Sequence, residues 1–123
     1  MEQTDYTYKA VVLDVHDGDT CTVDIDLGFG IWMRKQKLRL YGINTPELSG
    51  DQKEAGIKSR DFLSSLIVGK EIIIETQKDK AEKYGRWLAT IWLDGVNLNK
   101  KLVDFNEIPT ELVTEFITNT IKR

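Results

Sequence analysis

Between Cys21 and Leu27 the apolar residues Cys21, Val23, Ile25 and Leu27 alternate with Thr22, Asp24 and Asp26. A period of two places the two sets on opposite faces of an extended strand, so this stretch buries one side and wets the other. Residues 8–15 read as a preceding strand of apolar β-formers, stopped by His16-Asp17-Gly18-Asp19. Gly28-Phe29-Gly30 supplies a hairpin turn. The return strand is expected over residues 31–43, with Leu38 and Leu40 on one face and Arg39 and Tyr41 on the other.

The period then changes. Over residues 52–67, Ala55, Ser59, Phe62, Leu63, Leu66 and Ile67 fall on one stripe, with Lys53, Lys58, Arg60 and Asp61 facing away. This predicts an amphipathic helix, and Gly69 is placed to end it. Strand character resumes over residues 71–76 and 87–93, with a turn at Asp94-Gly95. Asn97 is positioned to cap a short helix whose Leu98, Leu102 and Phe105 share a face. Beyond Pro109, the residues Leu112, Val113, Phe116, Ile117 and Ile121 form another stripe. Five strands interrupted by a helix after the third predict a mainly β, α+β chain. The expected architecture is a five-stranded oligonucleotide/oligosaccharide-binding (OB) barrel with two or three packed helices.

At 123 residues and 14.1 kDa the chain suits a single domain, residues 1–123. Its core is expected over about 8–105, with 106–123 as a helical C-terminal segment. Seventeen Lys and Arg against twenty Asp and Glu give a net charge of −3 and a pI near 5.2. That balance argues against coating nucleic acid or membrane by bulk charge, so any polyanion must be gripped locally. One cysteine excludes an intramolecular disulfide framework, and with one histidine it leaves no zinc cluster of such ligands. The first residues show no basic region followed by an apolar run, and the apolar stretches are too short to span a bilayer. An intracellular, cytoplasmic chain with no membrane partner is the expectation.

Three polar segments carry candidate chemistry. Asp17-Gly18-Asp19-Thr20 concentrates two carboxylates in a tight turn, which suits a hard cation; Asp-Gly is equally a hairpin signal. In Arg39-Leu40-Tyr41-Gly42-Ile43-Asn44-Thr45-Pro46-Glu47 a charge sits inside an apolar strand and oxygen donors crowd its end. A salt-bridged arginine followed by a polar turn has the same pattern. Lys83-Tyr84-Gly85-Arg86 reads as a basic site or as a solvated loop. Cys21 falls on the inward phase of its strand, as a core residue would, and His16 flanks the turn. Among Trp32, Trp87 and Trp92, Trp87 adjoins Arg86 and is the candidate for nucleotide contact.

Taken together, the chain resembles the staphylococcal (micrococcal) nuclease, or thermonuclease-like, family. The resemblance rests on Val15-His16-Asp17-Gly18-Asp19-Thr20, on Arg39-Leu40 followed by Gly42-Ile43-Asn44-Thr45-Pro46-Glu47, and on Lys83-Tyr84-Gly85-Arg86-Trp87-Leu88-Ala89. It implies an OB barrel and Ca²⁺-dependent hydrolysis of DNA and RNA that leaves a 3′ phosphate, with Ca²⁺ or another divalent cation as cofactor. By that resemblance Asp19, Asn44 and Thr45 are the metal residues. Glu47 serves the attacking water, Arg39 and Arg86 grip the scissile phosphate, and Lys83 and Tyr84 lie near the nucleotide.

Three features depart from the family pattern. Asn44 stands where the family usually has an aspartate, which removes a negative charge from the cation site. Leu48-Ser49-Gly50-Asp51 replaces a longer loop. Residues 106–123 match no family motif and are candidates for a homodimer contact. The alternative to a nuclease is a catalytically weakened OB module that binds nucleic acid or protein without cleaving.

Overall fold

The computed structural model describes residues 6–43, 45–46 and 48–106. Asn44, Glu47 and the C-terminal segment with its expected helix and dimer contact lie outside the described residues.

Strands β1 (Thr7–Asp17), β2 (Thr20–Asp26) and β3 (Trp32–Leu40) form a meander. A short 3₁₀ turn, Gly50–Gln52, leads into helix α1 (Lys53–Ile67). Then come β4 (Glu71–Ala81), β5 (Trp87–Leu93), the two-residue β6 (Val96–Asn97) and helix α2 (Leu98–Asn106). The sheet order is β3-β2-β1-β4-β5-β6, and a parallel β3–β5 pairing joins its ends. That pairing closes a five-stranded mixed barrel, with β6 as a short extension of β5.

The barrel interior follows from the alternation. Cys21, Val23 and Ile25 of β2 face Leu38 and Leu40 of β3, Ala10 and Val12 of β1, Ile72 and Ile74 of β4, and Ala89 and Ile91 of β5, all buried. Burial pushes the Cys21 thiol up to about 12, so it is a core residue and no nucleophile. Phe62 of α1 stacks on Phe105 of α2 at 4.2 Å between ring centroids, joining both helices to the same core. Asn97 caps α2 as expected, its Oδ1 accepting the Lys100 N–H at 3.2 Å. Gly69 takes a left-handed conformation at φ 77° just past α1.

Some boundaries differ from the sequence reading. The strand expected over 71–76 runs on to Ala81, because Lys78 and Asp79 enter the left-handed region and bulge the ladder rather than end it. On α1 the buried positions are Gly56, Ser59, Phe62, Leu63 and Ile67. Ala55, placed on the stripe by periodicity, is exposed. The phase follows the tightest contact, Ser59 against Gly18 of the β1–β2 turn. A Cβ on Gly18 would lie 2.2 Å from the Ser59 hydroxyl oxygen and 2.9 Å from Thr45 Cγ2. The helix therefore presses directly on the turn that carries Asp17 and Asp19.

Candidate active site

The β1–β2 turn, the segment after β3 and the start of β5 meet at one mouth of the barrel. Asp19 is buried there. Its Oδ2 lies 3.3 Å from Arg39 Nη2 and accepts the Thr45 hydroxyl at 3.1 Å. Its Oδ1 accepts the Thr20 hydroxyl at 3.0 Å. Arg39 also donates to the carbonyls of Leu40 and Ile43, so one guanidinium ties the carboxylate to the loop that leaves β3.

Arg86 arrives from the other side. Its Nη1 donates to Thr20 Oγ1 at 3.3 Å. Its Nε and Nη2 donate to the two carboxylate oxygens of Glu82 at 3.1 and 2.9 Å. Glu82 Oε1 also accepts the backbone N–H groups of Tyr84 and Arg86, each at 2.9 Å, so the acid organises the whole β4–β5 turn. Hydrogen bonding from Arg86 pulls the Glu82 carboxyl down to about 2. Glu82 raises Arg86 in turn, so the guanidinium stays charged.

The two acids of the turn are coupled. Asp19 N–H donates to Asp17 Oδ1 at 3.0 Å. Burial, then the hydrogen bond and charge of Asp17, raise the Asp19 carboxyl above its usual value against the pull of Arg39. Burial also works to raise Asp17, but hydrogen bonds from the Asp19 side chain and backbone outweigh it, with the His16 charge adding to them, and Asp17 ends low. Like charges pressed together in this way are the repulsion that a bound dication relieves.

A cavity of about 400 Å³ opens over these groups, lined by His16, Asp17, Asp19, Arg39, Thr45 and Arg86 among others. Its oxygen-only candidate ligands, Asp17, Asp19 and Thr45, fit a hard cation such as Ca²⁺. Among the described residues no three His, Cys, Asp or Glu side chains gather as ligands. Backbone carbonyls, water or substrate oxygens would have to complete the shell.

The structure thus brings together Asp19, Arg39, Thr45 and Arg86. Tyr84 lies beside them, with Arg86 Cζ 5.4 Å and Lys83 Nζ 5.0 Å from its ring centroid. Trp87 does not join them. It opens β5 one residue after Arg86, packs against the core, donates from Nε1 to Gln36 Oε1 at 3.0 Å, and lines a separate small cavity with Tyr8, Ile25 and Met33. The strand begins at Trp87, whose side chain turns inward, and adjacency to Arg86 in sequence hides this.

Three residues escaped the sequence reading. Glu82 was signalled only by its spacing of four from Arg86. Ser59 looked like an ordinary stripe residue. Asn99 is buried, accepting the Ile91 N–H at 3.0 Å and donating to the carbonyls of Tyr41 at 2.9 Å and Ala89 at 3.1 Å. Those bonds pin α2 to β5 and to the chain just beyond β3.

The fold and its mouth define an α+β barrel protein of the OB type, with paired arginines facing an acidic turn. Within that class the chain belongs to a particular family: residues 37–105 match the staphylococcal nuclease homologue model. The matched segment includes Arg39, Thr45 and Arg86 and begins after the Asp17–Asp19 turn. The thermonuclease of Staphylococcus hyicus is 34% identical over 99 residues, covering 78% of this chain and 54% of that protein. An uncharacterized protein of Methanocaldococcus jannaschii is 32% identical over 121 residues, covering 81% of this chain and 54% of its own length. The thermonuclease of Staphylococcus intermedius is 30% identical over 100 residues, covering 79% and 54%. The chain spans about half the length of these curated relatives.

Proposed function

We propose that the chain hydrolyses phosphodiester bonds of DNA or RNA with a divalent cation, Ca²⁺ first, and leaves 3′-phosphate ends. The observation that carries this reading is the meeting of Arg39, from β3, and Arg86, from the turn that leads into β5, on Asp19-Thr20 at one open cavity. Attack on a phosphodiester gathers negative charge on the non-bridging oxygens, and guanidinium groups held in place before the reaction stabilise it without reorganising. Glu82 fixes the Nε–Nη2 edge of Arg86, Nη1 donates to Thr20, and the side chain lines the cavity.

In this reading Asp19, Thr45 and, by position in the sequence, Asn44 hold the cation. A dication there supplies charge neutralisation and makes bound water more acidic. Glu47 receives the proton of the attacking water. The water oxygen bonds to phosphorus, the bond to the 5′ oxygen breaks, and that oxygen takes a proton from solvent to leave as the 5′ hydroxyl of the next nucleotide, while Glu47 returns its proton to solvent. Arg39 and Arg86 hold the phosphoryl oxygens throughout, and Tyr84 and Lys83 meet the nucleotide at the rim. Two of the relatives are thermonucleases, which supports the nuclease part of this reading.

The test is incubation of single-stranded DNA and RNA with purified protein plus Ca²⁺, Mg²⁺, Mn²⁺ or chelator, followed by end-group analysis. Chelator-sensitive cleavage with 3′-phosphate ends is the expected result. Absence of ion-dependent cleavage would leave the weakened binding module as the reading.

A further inference from the structure

A second cavity of about 490 Å³ lies beside the first, lined by Asp14, His16, Thr20, Thr22, Lys37, Tyr84 and Arg86. His16 and Arg86 line both, so the two form one groove across the outer face of β2 and β3. The strand register explains the order of its side chains. Thr20 pairs with Arg39 and Thr22 with Lys37, while the intervening Cys21 and Leu38 are buried. Arg39 and Lys37 thus share one face, their backbone positions about 6.6 Å apart at the usual rise of roughly 3.3 Å per strand residue. That step is comparable with the separation of neighbouring phosphates along one nucleic-acid strand.

From this arrangement we infer that Thr22 and Lys37 form a second phosphate subsite, which takes the phosphodiester adjoining the one held by Arg39 and Arg86. The inference rests on the proposed reading of the first cavity and names a residue that the family resemblance did not supply. Lys37 is exposed and has no ion-pair or hydrogen-bond partner among the described residues, whereas Arg39 and Arg86 are engaged by Asp19 and Glu82. Its ammonium is therefore available as a point charge for a phosphate. Asp14, the β1 partner of Thr22, lines the same cavity, its Oδ1 accepting the Val15 N–H at 2.9 Å. Tyr84, 70% exposed, offers an aromatic face where a base can stack between the two phosphates. For a chain of net charge −3, such a local row of cations is how a polyanion is held at all.

The experiment measures binding of a fluorescein-labelled octathymidylate by anisotropy in chelator across a series of salt concentrations. Wild type is compared with Lys37→Ala, Lys37→Arg and a control, Lys9→Ala, which removes the same charge from an exposed position on β1, outside both cavities. Loss of one phosphate contact lowers the slope of log K against log salt by about 0.7 for a single strand. Lys37→Ala is expected to show that loss and weaker binding whatever the base sequence, while Lys37→Arg and Lys9→Ala keep the wild-type slope. A Lys37→Ala slope equal to wild type, or an equal loss in Lys9→Ala, overturns the subsite. A Lys37-dependent slope without cleavage under any ion supports the subsite and overturns only the hydrolase reading. Failure of the wild type to bind the probe overturns the subsite, and the hydrolase reading stands or falls on the cleavage assay alone.

Discussion

Gly18 and Ser59 touch across the boundary between the barrel and α1 so closely that no side chain fits between them. A Cβ on Gly18 would sit 2.2 Å from the Ser59 hydroxyl oxygen and 2.9 Å from its Cβ. The helix thus sets the height of the β1–β2 turn, and the turn sets the position of Asp19. Replacing Gly18 with Ala forces one of the two to move. Overpacking of this kind costs about 1–3 kcal/mol. Denaturant unfolding of Gly18→Ala should show that loss, and its cleavage rate should fall with the displaced carboxylate.

Asn99 holds α2 to β5 and to the chain just beyond β3. Its amide satisfies the Ile91 N–H and the carbonyls of Tyr41 and Ala89. In Asn99→Ala these groups lose their partner inside the protein, and a buried polar group left unpaired costs about 1–3 kcal/mol. The midpoint of urea unfolding is expected to drop accordingly. Amide exchange at Ile91 is expected to quicken.

The Glu82–Arg86 fork makes a pH prediction with a definite sign. Glu82 is drawn from an ordinary 4.5 to about 2 in the folded chain. A lowered carboxyl contributes stability that is fully present above pH 4.5 and is lost as pH falls through about 2. Thermal melts of wild type and Glu82→Gln should therefore differ by a constant amount at neutral pH. The difference should shrink toward zero as the acid limit is reached. A carbon NMR titration of the Glu82 carboxyl reads the same midpoint directly.

In the proposed reading Asn44 stands at the cation site with a neutral oxygen, where an aspartate would add a charge. Asn44→Asp is expected to tighten Ca²⁺ binding in a calorimetric titration. An unchanged titration would mean that this position does not ligate the ion.

Much of the barrel was readable because period-two alternation and glycine turns report local backbone geometry. The run Cys21, Val23, Ile25 and the turn at Gly28-Phe29-Gly30 both appear where alternation and turn chemistry place them. The left-handed pair Lys78 and Asp79 lay beyond such reasoning, since a bulge is held by distant groups. The Tyr8 hydroxyl donates to Asp79 Oδ2 at 2.8 Å and the Thr76 hydroxyl to Asp79 Oδ1 at 2.6 Å. The convergence of Arg39 and Arg86 was legible only through three motifs taken together. What those motifs concealed was the supporting layer: Glu82 orienting Arg86, and Ser59 seating the acidic turn. Supporting contacts of that kind depend on packing across the sequence, and no local pattern records them.

The central claim is that Arg39 and Arg86 act on one phosphate held over Asp19. The most direct measurement is the steady-state cleavage rate of single-stranded DNA with saturating Ca²⁺ for wild type, Arg39→Ala, Arg86→Ala and the double variant. Each single substitution is expected to lower the rate by about 10²–10³. The double variant should lose less than the product of the two, because residues that serve one group are not additive. Calcium-dependent cleavage that both single variants retain at the wild-type rate would contradict the account.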